Sequence, residues 1–393
     1  MSLTFVLAPD SFKESMSAAQ ACQAMQRGIQ NVIPDANIIH VPMADGGEGT
    51  VDALISSLKG ESIACEVTGP LSEQRIQTYW GLVDASQTAV IEMAKANGIH
   101  LLKPSQRNPM LTSTYGTGEM IKQALDLDVK KIIIGLGGSI TNDAGAGMAQ
   151  ALGVRFLNYK SESIQVCGGN LDLVKSMDLS ELDPRLADTE IIIASDVNNP
   201  LCGPNGASII FGPQKGATPE MVKQLDQNLC HFADVVAQQI GCDYRHVAGA
   251  GAAGGLGFGL MAFTAASIRS GVELMIQQVQ LNEKIAQADH VFTGEGKIDF
   301  QTKFGKTPFG VAQVAKHFNK PVIAFAGLVG EGIEDLFESG FSQIVGINPP
   351  DCPLEEALNN AEMNLEKAVA EIVKNLLTER KYFSLLQSST PCR

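Results

Sequence analysis

The sequence predicts an α/β protein in which both ends of the chain form one doubly wound parallel sheet and a second α/β domain is inserted between them. A strand–loop–helix order recurs at both ends, and the segment between them is less regular. Since 393 residues exceed the roughly 100–200 of one ordinary domain, two domains are expected. The expected boundaries are 1–60 with 286–380 for the first domain, 61–285 for the inserted domain and 381–393 for a C-terminal tail.

Two strand–loop–helix units fill the first 60 residues. Phe5 to Ala8 has the composition of a buried strand. Ser17 and Gln20 form the capping-box pattern that starts a helix, and Pro34 ends it. A second strand, Ile38 to Met43, leads through the loop "ADGGEGT" to apolar residues that share one helix face.

The same order returns near the C-terminus. A short apolar strand leads through the glycine loop "TGEGKID" to a helix with Thr307 as its N-cap and Pro308 as its first residue. Two further strands, Pro321 to Ala326 and Ser342 to Ile347, and a long helix from Leu354 to Leu377 follow. Five strands with intervening helices suit a parallel, doubly wound sheet.

The middle of the chain predicts a second α/β domain. Gln74 to Val83 alternates apolar and polar residues, which is typical of an antiparallel strand. Lys131 to Ile134 and Glu190 to Ala194 have the composition of buried strands.

Composition excludes several classes of function. A net charge of −14 disfavours nucleic acid and anionic membrane as partners, because there is no surplus of basic residues to neutralise phosphates. No apolar run approaches the roughly 18 residues that a membrane span needs, and Leu3 to Pro9 is too short for a signal peptide, so we expect a cytoplasmic protein. The eight cysteines are scattered without the spacing of zinc ligands, which favours reduced thiols.

Three loops that leave predicted strands carry acidic side chains. In chain order they contain Asp10 with Lys13, Asp45 with Glu48, and Glu295 with Lys297 and Asp299. In open parallel sheets ligands bind beyond the carboxyl ends of the strands, so these side chains are expected to line one crevice. The alternative for each acid is that it caps a helix or lies in solvent.

Glycine-rich loops favour an anionic ligand. The loops "ADGGEGT", "LGGSITNDAGAG" and "TGEGKID" each place glycines beside hydroxyl or acidic groups, which lets backbone N–H groups approach a phosphate closely. The alternative is that these glycines serve turns or tight packing.

Two further glycine motifs are set aside. The pattern Gly249-x-Gly251-x-x-Gly254 matches a dinucleotide-binding fingerprint, but no convincing strand precedes it. The stretch "FGKTP" imitates the end of a Walker A loop, but Phe300 stands where that loop needs a glycine.

Six motifs in order resemble the bacterial glycerate kinase family, in the class without a P-loop. They are "APDSFKESMSA", "ADGGEGT", "GLGGSITNDAGAGMAQALG", "SDVNNPLCGPNGA", "FGPQKGA" and "TGEGKID". The resemblance extends over nearly the whole chain. It implies ATP-dependent phosphorylation of D-glycerate, usually to 2-phosphoglycerate, with Mg2+. It also implies two α/β domains, one of them flavodoxin-like.

Phosphoryl transfer needs cations, a magnesium ion and a carboxylate that accepts the hydroxyl proton. On this basis Asp45 and Glu295 are assigned to Mg2+, and Asp196 is the preferred base with Asp10 as its rival. We expect catalysis in a cleft between the two domains, which closes on the substrates to exclude water.

The remaining candidates bind the substrates. Lys13 and Lys297 neutralise the transferring phosphoryl group or hold the glycerate carboxylate. Candidates for contacts with nucleotide phosphates or substrate are Ser11, Gly46, Gly47, Gly137, Gly138, Ser139, Gly296 and Asp299. Asn142 and Asp143 either orient the substrate or cap the following helix.

Three other functions stay open. A kinase of a related small hydroxy acid is the nearest, because specificity can depend on one or two contacts. A nicotinamide-dependent oxidoreductase would need a well-placed dinucleotide fingerprint. A non-catalytic sugar-acid sensor would have no need of magnesium-dependent ATP binding. A homodimer is also left open.

Overall fold

The computed structural model describes residues 3–388, and the side chains of residues 3–378. It divides into two compact units. The terminal unit consists of the chain up to Ala44 and from Met275 onward, and the inserted unit is Asp45–Leu274.

Thirteen strands occur within the described residues. They are β1 (Thr4–Leu7), β2 (Asn37–His40), β3 (Glu61–Thr68), β4 (Arg75–Val83), β5 (Thr88–Glu92), β6 (Lys131–Gly135), β7 (Arg155–Leu157), β8 (Ser176–Asp178), β9 (Glu190–Ala194), β10 (Ser267–Arg269), β11 (His290–Ile298), β12 (Val322–Val329) and β13 (Phe341–Gly346).

Fourteen α-helices occur within the same residues. They are α1 (Ala18–Gln30), α2 (Thr50–Leu58), α3 (Ala94–Asn97), α4 (Tyr115–Asp126), α5 (Ala146–Ala151), α6 (Ala207–Phe211), α7 (Pro219–Ile240), α8 (Ala252–Thr264), α9 (Gly271–Gln278), α10 (Leu281–Ala286), α11 (Thr307–His317), α12 (Glu334–Glu338), α13 (Leu354–Asn359) and α14 (Ala361–Ser388).

The terminal unit has a five-stranded parallel sheet in the order β13-β12-β11-β1-β2. Counted along the unit's own strands this is 2-1-3-4-5, the doubly wound order of flavodoxin. The order reverses between β1 and β11, where Phe5 lies opposite His290. Helices α1 and α14 cover one face with an apolar core. The predicted α/β fold with a parallel sheet is therefore confirmed.

Helix α1 begins where the sequence predicts. The hydroxyl of Ser17 accepts a bond from the N–H of Gln20, and the side chain of Gln20 accepts one from the N–H of Ser17 at 2.9 Å. This capping box satisfies two N–H groups that the first turn leaves without partners.

Replacing Ser17 with alanine is expected to lower the free energy of unfolding by about 1 kcal/mol, the usual contribution of an N-cap side chain. Urea denaturation measures it, with Ser105→Ala as the control because Ser105 is exposed and caps no helix. Equal stability of the two variants would contradict the role of the cap.

The inserted unit has a mixed six-stranded sheet in the order β10-β9-β6-β5-β4-β3. Strands β10, β9, β6 and β5 are parallel, and β4 runs antiparallel to both β5 and β3. The predicted antiparallel strand is thus confirmed as β4, and the two predicted buried strands are β6 and β9. The carboxyl ends of β5, β6, β9 and β10 meet at one edge of this sheet.

The units divide at 44/45 and 274/275, not at the expected 60/61 and 285/286. Residues 45–60 pack with the inserted unit because α2 lies on its sheet, with the side chains of Val51 and Ile55 against Gly81 of β4. Helix α10 packs on α11 in the terminal unit.

The prediction of a glycine loop at "TGEGKID" is wrong, because most of this segment is strand. Strand β11 continues to Ile298, which pairs with Val329 of β12, and Lys297 pairs with Leu328. Glu295, Gly296 and Lys297 therefore belong to a strand, and the chain leaves the sheet only at Asp299.

The start of α11 is one residue earlier than predicted. Lys306 is its N-cap, and Thr307 and Pro308 are its first two residues. The hydroxyl of Thr307 donates to Oδ2 of Asp10 at 2.6 Å instead of capping the helix.

The C-terminal helix also differs from the prediction. The backbone departs from helical geometry at Asn360 (φ −103°, ψ 9°), which separates α13 from α14. Helix α14 then continues to Ser388, so the tail expected at 381–393 begins as helix, and 389–393 lie outside the described residues.

None of the helices between residues 3 and 388 combines the length and the apolar character needed to cross a membrane.

Candidate active site

The inserted unit carries a cavity of about 280 Å³ at the carboxyl ends of β6 and β9. We call it the acidic cavity, because Asp45 and Asp196 both line it. Asp196 lies two residues after the end of β9, the strand that the sequence predicts at Glu190 to Ala194. The other predicted site residues in its lining are Gly46, Gly47 and Gly137.

Glycines let the segment 45–47 lie directly across the strand ends. At Gly46 (φ +88°) a Cβ would lie 2.9 Å from the carbonyl oxygen of Ala194. A Cβ at Gly135 would lie 2.5 Å from the carbonyl oxygen of Gly46, and one at Gly137 would lie 2.7 Å from Cα of Gly47. Close packing is therefore one function of these glycines, and it brings Asp45 to the cavity.

Asp196 is an exposed residue with a partly buried carboxylate. Burial raises the pKa of this carboxyl above its usual range, and the negative charge of Asp45 raises it further. A hydrogen bond from the side chain of Ser270 opposes the shift. Two carboxylates thus act on each other in one cavity, with the protonated form of Asp196 favoured more than in water.

Glu92, at the end of β5, was not foreseen from the sequence. Its Oε1 accepts a bond from the N–H of Val51 at 2.8 Å and so fixes the first turn of α2, which follows the glycine segment. Burial raises the pKa of Glu92 to about 7, with the charge of Lys95 opposing the shift.

A second cavity of about 280 Å³ adjoins the acidic cavity. Both are lined by Leu136, Gly137, Val197 and Ala253. The second one adds the predicted site residues Gly138 and Ser139, and also Lys215, so we call it the lysine cavity.

Lys215 is only 1% exposed. Its Nζ donates to Oγ of Ser139 at 2.8 Å and to the carbonyl oxygen of Thr141 at 2.7 Å. Burial lowers the pKa of Lys215 to about 7, while the negative charge of Asp143 acts in the opposite direction. The sequence contains Lys215 in the motif "FGPQKGA", but no pattern there indicates that the side chain is buried.

Asp143 and Asn142 lie inside the inserted unit, both without exposed surface. The carboxylate of Asp143 accepts bonds from the N–H and hydroxyl of Thr114 and from the N–H groups of Gly145 and Gly147. Asn142 accepts a bond from the hydroxyl of Ser208 at 3.0 Å. Of the two alternatives for Asp143, this geometry corresponds to the helix cap, because Gly145 and Gly147 flank the start of α5.

The other predicted site residues lie in the terminal unit, at the carboxyl ends of β1 and β11. This is where the strand order reverses, the usual ligand position in doubly wound sheets. We call this group the switch-point cluster; it comprises Asp10, Ser11, Lys13, Glu295, Gly296, Lys297, Asp299 and Lys306.

Asp10 is engaged at both carboxylate oxygens. Oδ1 accepts bonds from the N–H and hydroxyl of Ser11, and Oδ2 accepts one from Thr307 at 2.6 Å. Gly296 lies against the backbone of Lys13, whose side chain is exposed. Through its bonds to Ser11 and Thr307, the Asp10 carboxylate links the end of β1 to the start of α11.

Ion pairs link the strand residues of the cluster. Lys297 Nζ lies 2.8 Å from Oδ2 of Asp299, and this lysine lowers the pKa of the Asp299 carboxyl. Lys306 Nζ lies 3.3 Å from Oε2 of Glu295, and Thr302 donates to the same carboxylate. Lys306 belongs to "FGKTP", the imperfect Walker A loop, and no sequence pattern there indicates its ion pair with Glu295.

Within the described residues, no group of three or more His, Cys, Asp or Glu side chains is arranged to hold a metal ion. The pattern Gly249-x-Gly251-x-x-Gly254 lies outside any strand and leads into left-handed backbone at Ala253, Gly254 and Gly255. It packs against Thr141 and Ala144 and does not form a dinucleotide fingerprint.

Comparison with known proteins decides the family. The family model described as "Glycerate kinase family" matches residues 5–377. The chain belongs to the glycerate kinase family. The resemblance predicted from the six motifs is confirmed.

Relatives in the glycerate kinase family span nearly the full length of the chain. A glycerate kinase of Haemophilus influenzae is 48% identical over 374 residues, covering 95% of this chain and 99% of the relative. A glycerate 2-kinase of Escherichia coli is 45% identical over 374 residues, covering 95% and 98%. The crystal structure of a protein of Salmonella typhimurium, provisionally named glycerate kinase 2, superposes with a TM-score of 0.87 at 43% identity, covering 97% and 100%.

Proposed function

We propose that the chain transfers the γ-phosphoryl group of ATP to the 2-hydroxyl of D-glycerate, giving 2-phosphoglycerate and ADP. The family match over residues 5–377 carries this proposal. The name of the Escherichia coli relative, glycerate 2-kinase, supports the 2-position.

Asp196 is proposed as the general base. The 2-hydroxyl oxygen forms a bond to the γ-phosphorus, the bond from that phosphorus to the β–γ bridging oxygen breaks, and Asp196 accepts the hydroxyl proton. A raised carboxyl pKa suits this role, because a base is more effective as its pKa approaches the operating pH. Asp10 is the weaker candidate, because Ser11 and Thr307 already engage both of its oxygens.

Asp45 is proposed to hold Mg2+. Its charge raises the pKa of Asp196, and a cation beside Asp45 would offset this repulsion. Mg2+ commonly binds one or two carboxylates with water and phosphate oxygens, which suits so small a ligand set. Bound Mg2+ supplies neutralisation of the phosphate charges. Glu295, the other residue assigned to Mg2+, bonds to Lys306 and Thr302 instead, so it fits this role less well.

The cationic side chains of the switch-point cluster are proposed to neutralise phosphate oxygens or to hold the glycerate carboxylate. Lys13 and Lys297 are both exposed, and Lys306 adds a third positive charge. The glycine backbone at Gly137 and Gly138, with Ser139, is proposed to contact phosphate. A catalytic cleft, a homodimer and a cytoplasmic location stay predictions.

The alternative functions require different evidence. A kinase of a related small hydroxy acid would use the same groups, so only a comparison of acceptors separates it from the proposal. An oxidoreductase has no support from Gly249-x-Gly251-x-x-Gly254, because that segment follows no strand.

Phosphorus NMR of the product tests the position and the metal. Purified protein with Mg-ATP and D-glycerate is expected to give the signal of 2-phosphoglycerate, and an excess of EDTA is expected to abolish it. A 3-phosphoglycerate signal would overturn the assignment of the hydroxyl. Unchanged product formation in EDTA would overturn the assignment of Asp45 to Mg2+.

A further inference from the structure

Lys215 is a buried cation without a carboxylate partner. It ends a short 3-10 helix, Pro213–Lys215, and within the described residues no Asp or Glu oxygen lies within 4.0 Å of its Nζ. Two neutral oxygens, from Ser139 and Thr141, accept its bonds. An ammonium group carries three N–H donors, so one remains for another acceptor.

Packing alone does not account for this lysine. Removing an ammonium group from water is costly unless charge and hydrogen bonds compensate, and an apolar side chain of similar volume would fill the same space without that cost. The shift of the Lys215 pKa to about 7 reflects this cost. An anion beside Nζ would reverse it.

The loop after β6 also lines the lysine cavity, through Gly137, Gly138 and Ser139. In the described part of the chain, the N–H groups of Gly137, Gly138 and Ser139 donate to neither backbone nor side-chain acceptors. Gly138 has left-handed backbone (φ +74°). Successive unpaired N–H groups in such a turn form a concave site for an anion. The hydroxyl of Ser139 accepts from Lys215 and keeps its own proton to donate.

We propose that the lysine cavity is an oxyanion site in which Lys215 Nζ, the Ser139 hydroxyl and the N–H groups of Gly137–Ser139 bind a carboxylate or phosphate group of a substrate. This inference rests on the proposed function, in which two substrates carry such groups: the carboxylate of D-glycerate and the phosphates of ATP. The cavity adjoins the acidic cavity with Asp196, so the bound anion would be held next to the reacting hydroxyl or the transferring group.

The test is the variant Lys215→Met, which keeps the length of the side chain and removes the charge. The matched control is Lys223→Met, because Lys223 is exposed on α7. Steady-state kinetics with each substrate varied in turn are expected to show a KM about 10- to 100-fold higher for one substrate, the effect of losing a hydrogen bond to a charged group.

The substrate whose KM rises identifies the anion. A rise for D-glycerate alone assigns the carboxylate, and a rise for ATP alone assigns a phosphate. KM values within twofold of the control for both substrates would overturn the proposal, as would a loss of kcat with both KM values unchanged. Ser139→Ala is the second variant should Lys215→Met not fold; a KM rise for one substrate is expected there, and unchanged KM values would overturn the proposal.

A pH profile separates binding from a structural role. Asp143 is the acidic residue whose charge acts on Lys215; burial raises the pKa of its own carboxyl, and hydrogen bonds from Thr114, Gly147 and Gly145 oppose that shift. Because only protonated Lys215 attracts the anion, the KM of the identified substrate is expected to rise as pH increases above about 7, by up to tenfold per pH unit. The methionine variant is expected to lose this dependence, and retention of the same dependence would contradict the proposal.

Calorimetry keeps this proposal distinct from the proposed function. Failure of the wild-type protein to release ADP with D-glycerate overturns the proposed function alone. In that event, ATP and inorganic phosphate are titrated separately into the wild-type protein and Lys215→Met. Weaker binding of either by the variant supports the oxyanion site, and equal binding, or none to the wild type, overturns it.

Discussion

Replacing Asp196 with asparagine is expected to lower kcat for D-glycerate phosphorylation by about 10²- to 10⁴-fold, the usual contribution of a general base. Asparagine has nearly the same shape but cannot accept the hydroxyl proton. The KM for ATP is expected to change little, because the base acts on the glycerate hydroxyl. Steady-state kinetics measure both quantities.

The control for Asp196→Asn is Asp172→Asn, since Asp172 is exposed on the same unit. The wild-type rate is also expected to fall at acid pH as Asp196 is protonated, at a pH above that of an ordinary aspartate because its pKa is raised. A variant with nearly normal kcat would remove Asp196 from the role of base and make Asp10 the candidate to examine.

Replacing Asp143 with alanine is expected to lower the free energy of unfolding by about 3–5 kcal/mol, the cost of removing one partner from a buried charged network. The substitution leaves four donors without an acceptor: two of Thr114 and the N–H groups of Gly145 and Gly147. It also leaves a cavity in the core and removes the negative charge that acts on Lys215. Urea denaturation followed by circular dichroism measures the loss.

Asp172→Ala is the control for Asp143→Ala, and its stability is expected to stay within about 0.5 kcal/mol of the wild type. Thr114→Val provides a milder test, because it removes one donor to Asp143 and keeps the shape of the side chain; a loss of about 1 kcal/mol is expected. Full stability of Asp143→Ala with greatly reduced kcat would contradict the cap and favour a substrate contact.

Local sequence patterns predicted the elements that depend on interactions between residues close together in the chain. The capping box at Ser17 starts α1 through bonds to Gln20, three residues away, and β4 shows its antiparallel character in its own alternation. The buried strand at Glu190 to Ala194 is found as β9, because its run of apolar residues is a local signal, and Asp196 lies two residues after its end.

The features that the sequence did not reveal depend on distant residues. Thr307 lies inside α11, whose N-cap is Lys306, and its hydroxyl donates to the carboxylate of Asp10, nearly 300 residues away. Polar residues of "TGEGKID" become strand because β12 offers a continuous ladder to Val329. The local sequence around Lys215 does not distinguish it from a surface lysine. Its burial depends on α6, α8 and the loop after β6, which enclose it.

The most direct test of the proposed function is ADP release from Mg-ATP by purified protein, measured in a coupled assay with D-glycerate, L-glycerate, related hydroxy acids or no acceptor. The proposed function predicts release that depends on D-glycerate, at a rate well above that without acceptor. Release that depends on another hydroxy acid and not on D-glycerate would contradict the assigned substrate. Failure to bind ATP would contradict kinase activity itself.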